Sequence, residues 1–269
     1  VCSQFRISAT LLQSKFLMKM PAFLFRPASI EDMVAAKMPL TMMPIMPTGS
    51  TAWMHDGVCE FWTPTAETTA RFVDSPAALC AAASVIFVAV PVPQMGAALR
   101  GLRSSLTAEH LVLDVGSVKV HPQEDCAAIL GRDVPWAGTH PLFGPVSLAL
   151  AERPLRVVVC PNELHPGAVD RAAAIYQALG CEVHREDAQT HDWVMASTHA
   201  VAFFVAKGML DAGFGDDTRL APPSFQAMAR TLAAVRGDAG HLFRAIQREN
   251  PFSAAARQRL LAALNEVHR

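Results

Sequence analysis

The chain has 269 residues, 51% of them apolar and 17% charged, with a formal net charge of −1 at pH 7. That much apolar material excludes a disordered chain and suffices for the core of one large domain or two smaller ones. A charge this close to zero excludes long-range attraction to nucleic acid or to an anionic membrane, so the expected partner is a small molecule chosen by local geometry.

Six cysteines (Cys2, Cys59, Cys80, Cys126, Cys160, Cys181) are scattered without a CxxC pair. This pattern fits reduced thiols in a cytoplasmic protein better than a disulfide framework or a zinc site. No histidine spacing suggests a metal, and none is expected. No uninterrupted apolar run reaches the roughly 18 to 20 residues of a bilayer span, so no membrane is expected either.

Residues 1–73 stand apart. No acidic residue precedes Glu31, and eight of the twelve methionines lie between Met18 and Met54. Neither alternation nor a helical period runs through KMPLTMMPIMPTGS. The segment reads as a divergent or aberrant part of a nucleotide-binding domain, and its basic start leaves an organelle leader as the lesser alternative.

From Asp74 onward the text is regular. Ser75 and Pro76 are the N-cap and first residue of a short helix. Residues 84–91 (SVIFVAVP) form a strand without alternation, as in a parallel sheet covered on both faces. A helix follows over 93–106, a strand over 111–115 and a helix over about 121–130. Another short strand runs from Trp136 into His140, and the next covers 155–161. The helix over 166–179 is closed by Gly180 in a left-handed cap, and residues 181–185 form the last strand. Strand and helix alternate, which predicts a Rossmann-like α/β fold with a doubly wound parallel sheet over 74–187. After Asp187 only helices are expected: a long one beginning HDWVMASTHAVAFF, then 224–235, 238–249 and 253–267. Residues 188–269 are therefore expected to form a helical domain, with Phe225, Met228, Leu232 and Val235 on one apolar face.

The chemistry concentrates between Leu111 and Pro145. There LVLD ends a strand at Asp114, and a turn carries Gly116, Ser117 and Lys119. The second strand delivers His140 within GTHPLFGP. Polar groups at carboxyl ends of strands mark the ligand crevice of open α/β sheets.

The motifs DVGSVK, GTHPLFGP and HDWVMASTHAVAFF, with the tail HLFRAIQRENPF, resemble the prephenate and arogenate dehydrogenases. The resemblance covers residues 74 to about 267. It implies a dinucleotide-binding domain, a helical dimerisation domain and a homodimer. It also implies oxidation of the ring alcohol of prephenate or arogenate with NAD or NADP, followed by loss of carbon dioxide, in tyrosine biosynthesis. His140 matches the catalytic base, and Ser117 the serine that orients it and touches the substrate hydroxyl. Lys119 is expected near a substrate carboxylate, and His191 and His199 are expected to reach the substrate from the helical domain. Arg230, or alternatively Arg236, is the expected clamp on the ring carboxylate, because a planar guanidinium fork suits that partner. Pro91, Asp114, Gly116 and Ser117 are expected to line the cofactor.

One element of the pattern is missing. Before Gly96 the sequence has only Gly49 and Gly57 and no GxGxxG, although a pyrophosphate needs close backbone approach at a helix N-terminus. A catalytically impaired, substrate-binding or dimerising relative is therefore the alternative, followed by another β-hydroxyacid-type dehydrogenase. Each residue also has a plainer reading. His140 and His199 could be satisfied core histidines, Ser117 a helix cap, His191 a local cap, and Lys119 and the two arginines solvated surface charges.

Overall fold

The computed structural model describes residues 51–55, 58–62, 73, 75–144, 147, 151–237 and 241–269. Strands β1 (Thr51–His55) and β2 (Val58–Trp62) form an antiparallel hairpin, a sheet of their own. The rest of the 1–73 segment lies outside the described residues.

Ser75 opens α1 (Pro76–Ala82), its hydroxyl accepting from Ala78 N at 3.2 Å. Strand β3 (Val85–Val88) leads through a 3-10 turn at Val92–Gln94 into α2 (Met95–Arg103). Then come β4 (Leu111–Asp114), α3 (Val120–Ile129), β5 (Trp136–Pro141), β6 (Arg156–Val159), α4 (Pro166–Ala178) and β7 (Glu182–Arg185). Gly180 has φ +79°, as the left-handed cap requires.

Strands β3 to β7 form one sheet in sequential order. The pairings β3–β4, β4–β5 and β6–β7 are parallel. The β5–β6 pairing is antiparallel, so the sheet is mixed rather than uniformly parallel as the strand–helix alternation suggested. The reason is local. β6 pairs directly beside β5, with Thr139 opposite Val159 and Pro141 opposite Val157. The chain reverses between them instead of crossing back beneath the sheet.

Two-residue periodicity divides the strands between two cores. Val85, Leu111, Leu113 and Ala137 pack with Ala168, Ala172, Ile175 and Tyr176 of α4. Ile86, Val88, Val112 and Trp136 pack on the other face, with Leu79, Met95, Leu99 and Cys126 of α1, α2 and α3. The sheet is thus covered on both sides, which explains why its strands read as unbroken apolar runs.

The remaining elements are helical. Asp187 caps α5 (Ala188–Met195), accepting from Gln189 N at 3.0 Å and Thr190 N at 2.9 Å. A π turn (Ala196–Ala200) joins α5 to α6 (Val201–Asp211). Then follow α7 (Pro223–Gly237), α8 (His241–Arg244), a second π turn (Ala245–Glu249) and α9 (Ser253–His268). Gln247 of the second π turn donates to Ala200 O of the first at 2.6 Å, satisfying a carbonyl that the π geometry releases. Leu232 and Val235 are buried against Phe203 and Ile246 with Phe225 beside them, while Met228 of the same expected face is exposed.

The continuous helix Ala188–Asp211 has 24 residues and is long and apolar enough, by length and composition, to cross a membrane. Polar residues interrupt the helix, so it holds no uninterrupted apolar run of that length. Two of them, His191 and Asp192, are buried and join the helix to the sheet half.

Candidate active site

The site begins at the end of β4. Asp114 is 1% exposed and Lys119 is fully buried. The Lys119 ammonium pairs with Asp114 Oδ2 and donates to Thr139 O at 2.6 Å. Asp114 Oδ1 accepts from Gly116 N at 2.7 Å. Burial pushes the Asp114 carboxyl above its ordinary value, and the Lys119 ammonium and the Gly116 N–H pull against it. On the other side Thr139 Oγ1 donates to Asp114 O at 2.6 Å and meets the Tyr176 hydroxyl at 2.8 Å. This polar cluster ties β4, β5 and α4 together.

Two expectations are corrected here. Lys119 is not a pocket lysine waiting for a carboxylate, because its charge is consumed by Asp114 and Thr139. For the same reason Asp114 presents no free carboxylate to a cofactor. Gly116 is needed for close approach: a Cβ there would lie 3.0 Å from Asp114 Oδ1. Pro91, half-buried, starts the turn after β3.

Period 2 along β5 sends Thr139 toward α4 and His140 to the opposite face, toward α3 and α5. His140 Nδ1 lies 2.8 Å from His191 Nε2, and His191 Nδ1 lies 2.7 Å from Asp192 Oδ1. The two rings meet edge to face at 5.1 Å. All three residues are buried, at 6%, 2% and 0% exposure. Asp192 is held in turn by the first turn of α3. Its Oδ1 accepts from Lys119 N at 2.8 Å and its Oδ2 from Val120 N at 2.9 Å. Asn250, the residue that follows the second π turn, donates to Asp192 O at 2.7 Å and braces it from behind.

Burial holds the His140 imidazole well below its ordinary value, and the neighbouring His191, Lys119 and His199 reinforce the shift. His140 is therefore neutral at pH 7. Its Nε2 has no partner among the described residues. It is also not sealed in, since Gln123 Nε2 is the one fully buried side-chain nitrogen or oxygen without a partner among them. A neutral histidine with one nitrogen tied and the other open is arranged to accept a proton.

His199 sits in the first π turn, half-buried, its ring edge-on to Phe203 at 4.4 Å. Burial lowers its pKa as well. His140, His191 and His199 are thus brought together. Ser117 is half-buried in the turn after β4, but its hydroxyl does not hold His140. The orienting contact comes from His191 instead. Nor does Ser117 cap α3, a task that Asp192 performs from the helical part. Arg230 is exposed on α7, and Arg236, also exposed, bonds Asp216 at 2.9 Å. Neither contacts the three histidines.

Sequence reasoning missed four participants. Asp192 was visible only as the second letter of HDW. Tyr176 and Asn250 carried no local signal. Gln123 projects over Gly138, where a Cβ would lie 3.1 Å from its Nε2. Cys160, buried at the end of β6, was read as an ordinary thiol and is one: burial pushes it up to about 12, too high for a nucleophile at neutral pH.

A dinucleotide would find part of its site among these residues. Pro91 follows β3, and Gly116 and Ser117 lie in the turn after β4, at the carboxyl ends of neighbouring parallel strands. A glycine-lined turn at a helix N-terminus, which would hold the phosphates, is not among the described residues.

Comparison with known proteins fits this geometry. Residues 66–184 match the family model described as the nucleotide-binding domain of prephenate dehydrogenase. A 4-amino-4-deoxyprephenate dehydrogenase of Streptomyces pristinaespiralis is 32% identical over 195 residues, 68% of this chain and 62% of that protein. A probable arogenate/prephenate dehydrogenase of Methanocaldococcus jannaschii is 21% identical over 175 residues, 62% of this chain and 39% of that protein. The chain thus spans less than two thirds of the length of these relatives. A solved prephenate dehydrogenase from A. aeolicus, in complex with hydroxyphenyl propionate and NAD+, has a TM-score of 0.59 at 18% identity, covering 73% of this chain and 72% of that one. The Synechocystis arogenate dehydrogenase gives 0.51 at 21% identity, covering 72% and 73%. At these identities the two structures establish a common fold. Residues 66–184, which carry the strand ends, Ser117 and His140, are thus similar to the nucleotide-binding domain of prephenate dehydrogenase.

Proposed function

We propose that this chain oxidises the ring alcohol of prephenate or arogenate, with NAD or NADP, in tyrosine biosynthesis. The observation that carries the reading is His140: a buried imidazole with Nδ1 engaged and Nε2 open at the carboxyl end of β5, its pKa held low by burial. In the reaction the hydroxyl proton passes to His140 Nε2 as the carbinol hydrogen departs with its electron pair. The carboxylate-bearing ring carbon then loses carbon dioxide, and the released pair completes the aromatic ring. A bound nicotinamide supplies the hydride acceptor. Because aromatisation drives the decarboxylation, the chain's own residues need only orient the ring and remove one proton. Ser117 is the hydroxyl-bearing side chain of the β4 turn and would meet the substrate oxygen, and His199 is the group that would approach from the helical part. Residues 188–269 would complete the substrate pocket and form the homodimer contact, with the exposed Trp193 and Val194 on the outer side of α5.

A second reading concerns the substrate atom. The Streptomyces relative acts on 4-amino-4-deoxyprephenate and shares 32% identity, which supports a ring amine in place of the hydroxyl. His140 could accept a proton from either. The test is turnover by the purified chain of prephenate, arogenate and 4-amino-4-deoxyprephenate, each with millimolar NAD and NADP. Reduced nicotinamide forming with one of the first two is expected. Turnover of the amine alone would shift the assignment to the second reading. Absence of any calorimetric signal with either cofactor would leave a substrate-binding or dimerising protein. Turnover of small 3-hydroxy acids alone would move the chain to another dehydrogenase class.

A further inference from the structure

Asp192 has an arrangement that capping alone does not require. Its carboxylate faces two kinds of donor. Lys119 N and Val120 N, at the first turn of α3, can only donate, so Oδ1 and Oδ2 both accept. Oδ1 also lies 2.7 Å from His191 Nδ1. Against an accepting oxygen that nitrogen must carry its hydrogen. With one hydrogen on each ring, His191 has its lone pair on Nε2, which faces His140 Nδ1 at 2.8 Å. His140 Nδ1 must therefore be the N–H, which leaves the lone pair on Nε2. Backbone amides of one helix thus fix, through one carboxylate and one imidazole, which nitrogen of a second imidazole is basic.

We infer that Asp192 and His191 are positioning residues that lock His140 as its Nδ1–H tautomer, so that Nε2 is the proton acceptor for the substrate. The inference deepens the proposed dehydrogenase reading by assigning two residues to the same base. When Nε2 takes the substrate proton, the Nδ1–H remains donated to His191 Nε2, and the Asp192 charge lies one ring beyond. No proton needs to travel further. His191 accordingly acts on His140 and not on the substrate, which replaces the role expected from sequence. The alternative is that Asp192 serves only to pin α5 onto α3, with the histidine tautomers left to exchange.

The direct test is nitrogen-15 NMR of the intact chain labelled at histidine, at pH 7.5 and without substrate. The His140 signals are assigned by their loss in His140→Asn. A protonated Nδ1 and a lone-pair Nε2 are expected for both His140 and His191. A protonated Nε2 on His140, or signals averaged between the two tautomers, overturns the inference. In Asp192→Asn the amide must turn an N–H toward either α3 or His191, so the hold on the tautomer should weaken. The turnover number should fall on the order of 10²- to 10⁴-fold with KM changed less than about threefold. The double variant Asp192→Asn/His140→Asn should be no slower than His140→Asn alone, because the two groups act as one unit. Additive losses, or a KM rise with kcat unchanged, would make Asp192 a structural pin only. The unsubstituted protein keeps the test decisive if Asp192→Asn does not fold. A locked tautomer in a chain that turns over no substrate would refute the proposed activity and leave this inference standing.

Discussion

Two buried polar clusters share the ends of β4 and β5, and they differ in one respect. In the Lys119–Asp114–Thr139 cluster the ammonium has two partners, and both carboxylate oxygens and the threonine hydroxyl are engaged. In the His140–His191–Asp192 line every group is engaged except the last, His140 Nε2. The first cluster is closed and holds the sheet ends together. The second is open at one end, where the proposed reaction places its proton transfer. Burial and unusual side chains mark both equally, so neither feature separates structure from catalysis. The unfinished hydrogen-bond chain does.

The comparison can be broken most directly at Lys119. Lys119→Ala leaves the Asp114 carboxylate buried without its partner, which should cost about 3 to 5 kcal/mol. The urea midpoint should fall accordingly, and a loss below about 1 kcal/mol would show that the cluster is not a structural tie. His140→Asn should do the reverse, with turnover falling on the order of a hundredfold or more, about 2.7 kcal/mol of barrier, and little change in the urea midpoint. A variant that turns over normally removes His140 from the mechanism.

Acid should separate the clusters as well. The folded pKa values of His140 and His199 lie below the unfolded value near 6.5. The unfolded chain then binds protons that the folded chain refuses. The stability contributed by the neutral rings is fully present above about pH 6.5 and is lost as pH falls toward the lowered folded values. Urea midpoints at pH 7.5 and 5.5 should show this loss, and His140→Asn should reduce the difference. In the same way the acid limb of kcat/KM should lie below the pH at which a free imidazole titrates.

Smaller effects belong outside both clusters. Gly138→Ala would bring a Cβ to 3.1 Å from Gln123 Nε2. That amide has no partner to lose, so the expected cost is about 1 kcal/mol, read from thermal unfolding. Arg236 is a solvent-facing ion pair with Asp216. Arg236→Ala should change stability by less than about 0.5 kcal/mol and leave KM within twofold. A tenfold rise in KM would show that α7 reaches the substrate.

Much of the chain's design is local and therefore legible in sequence. Ser75 and Pro76 start a helix, Gly180 ends one, and unbroken runs such as VIFV and LVLD announce strands covered on both faces. These features follow from backbone dihedrals and from period 2, which neighbouring residues settle among themselves. His140 and Ser117 were singled out by the resemblance of GTHPLFGP and DVGSVK to a known family, beyond their place at strand ends. Tertiary structure decided what those side chains do. The cap of α3 comes from Asp192, 72 and 73 residues away, where a local reading looked to Ser117. Lys119, five residues from Asp114, turned inward because the β5 carbonyl of Thr139 offered a second acceptor that sequence spacing could not reveal. The antiparallel β6 depends likewise on which strand edge is open when the chain returns. Local residues fix the conformation of a segment, but hydrogen-bond partners are allotted among all the buried donors and acceptors at once, and only the folded arrangement shows which atom is left over to react.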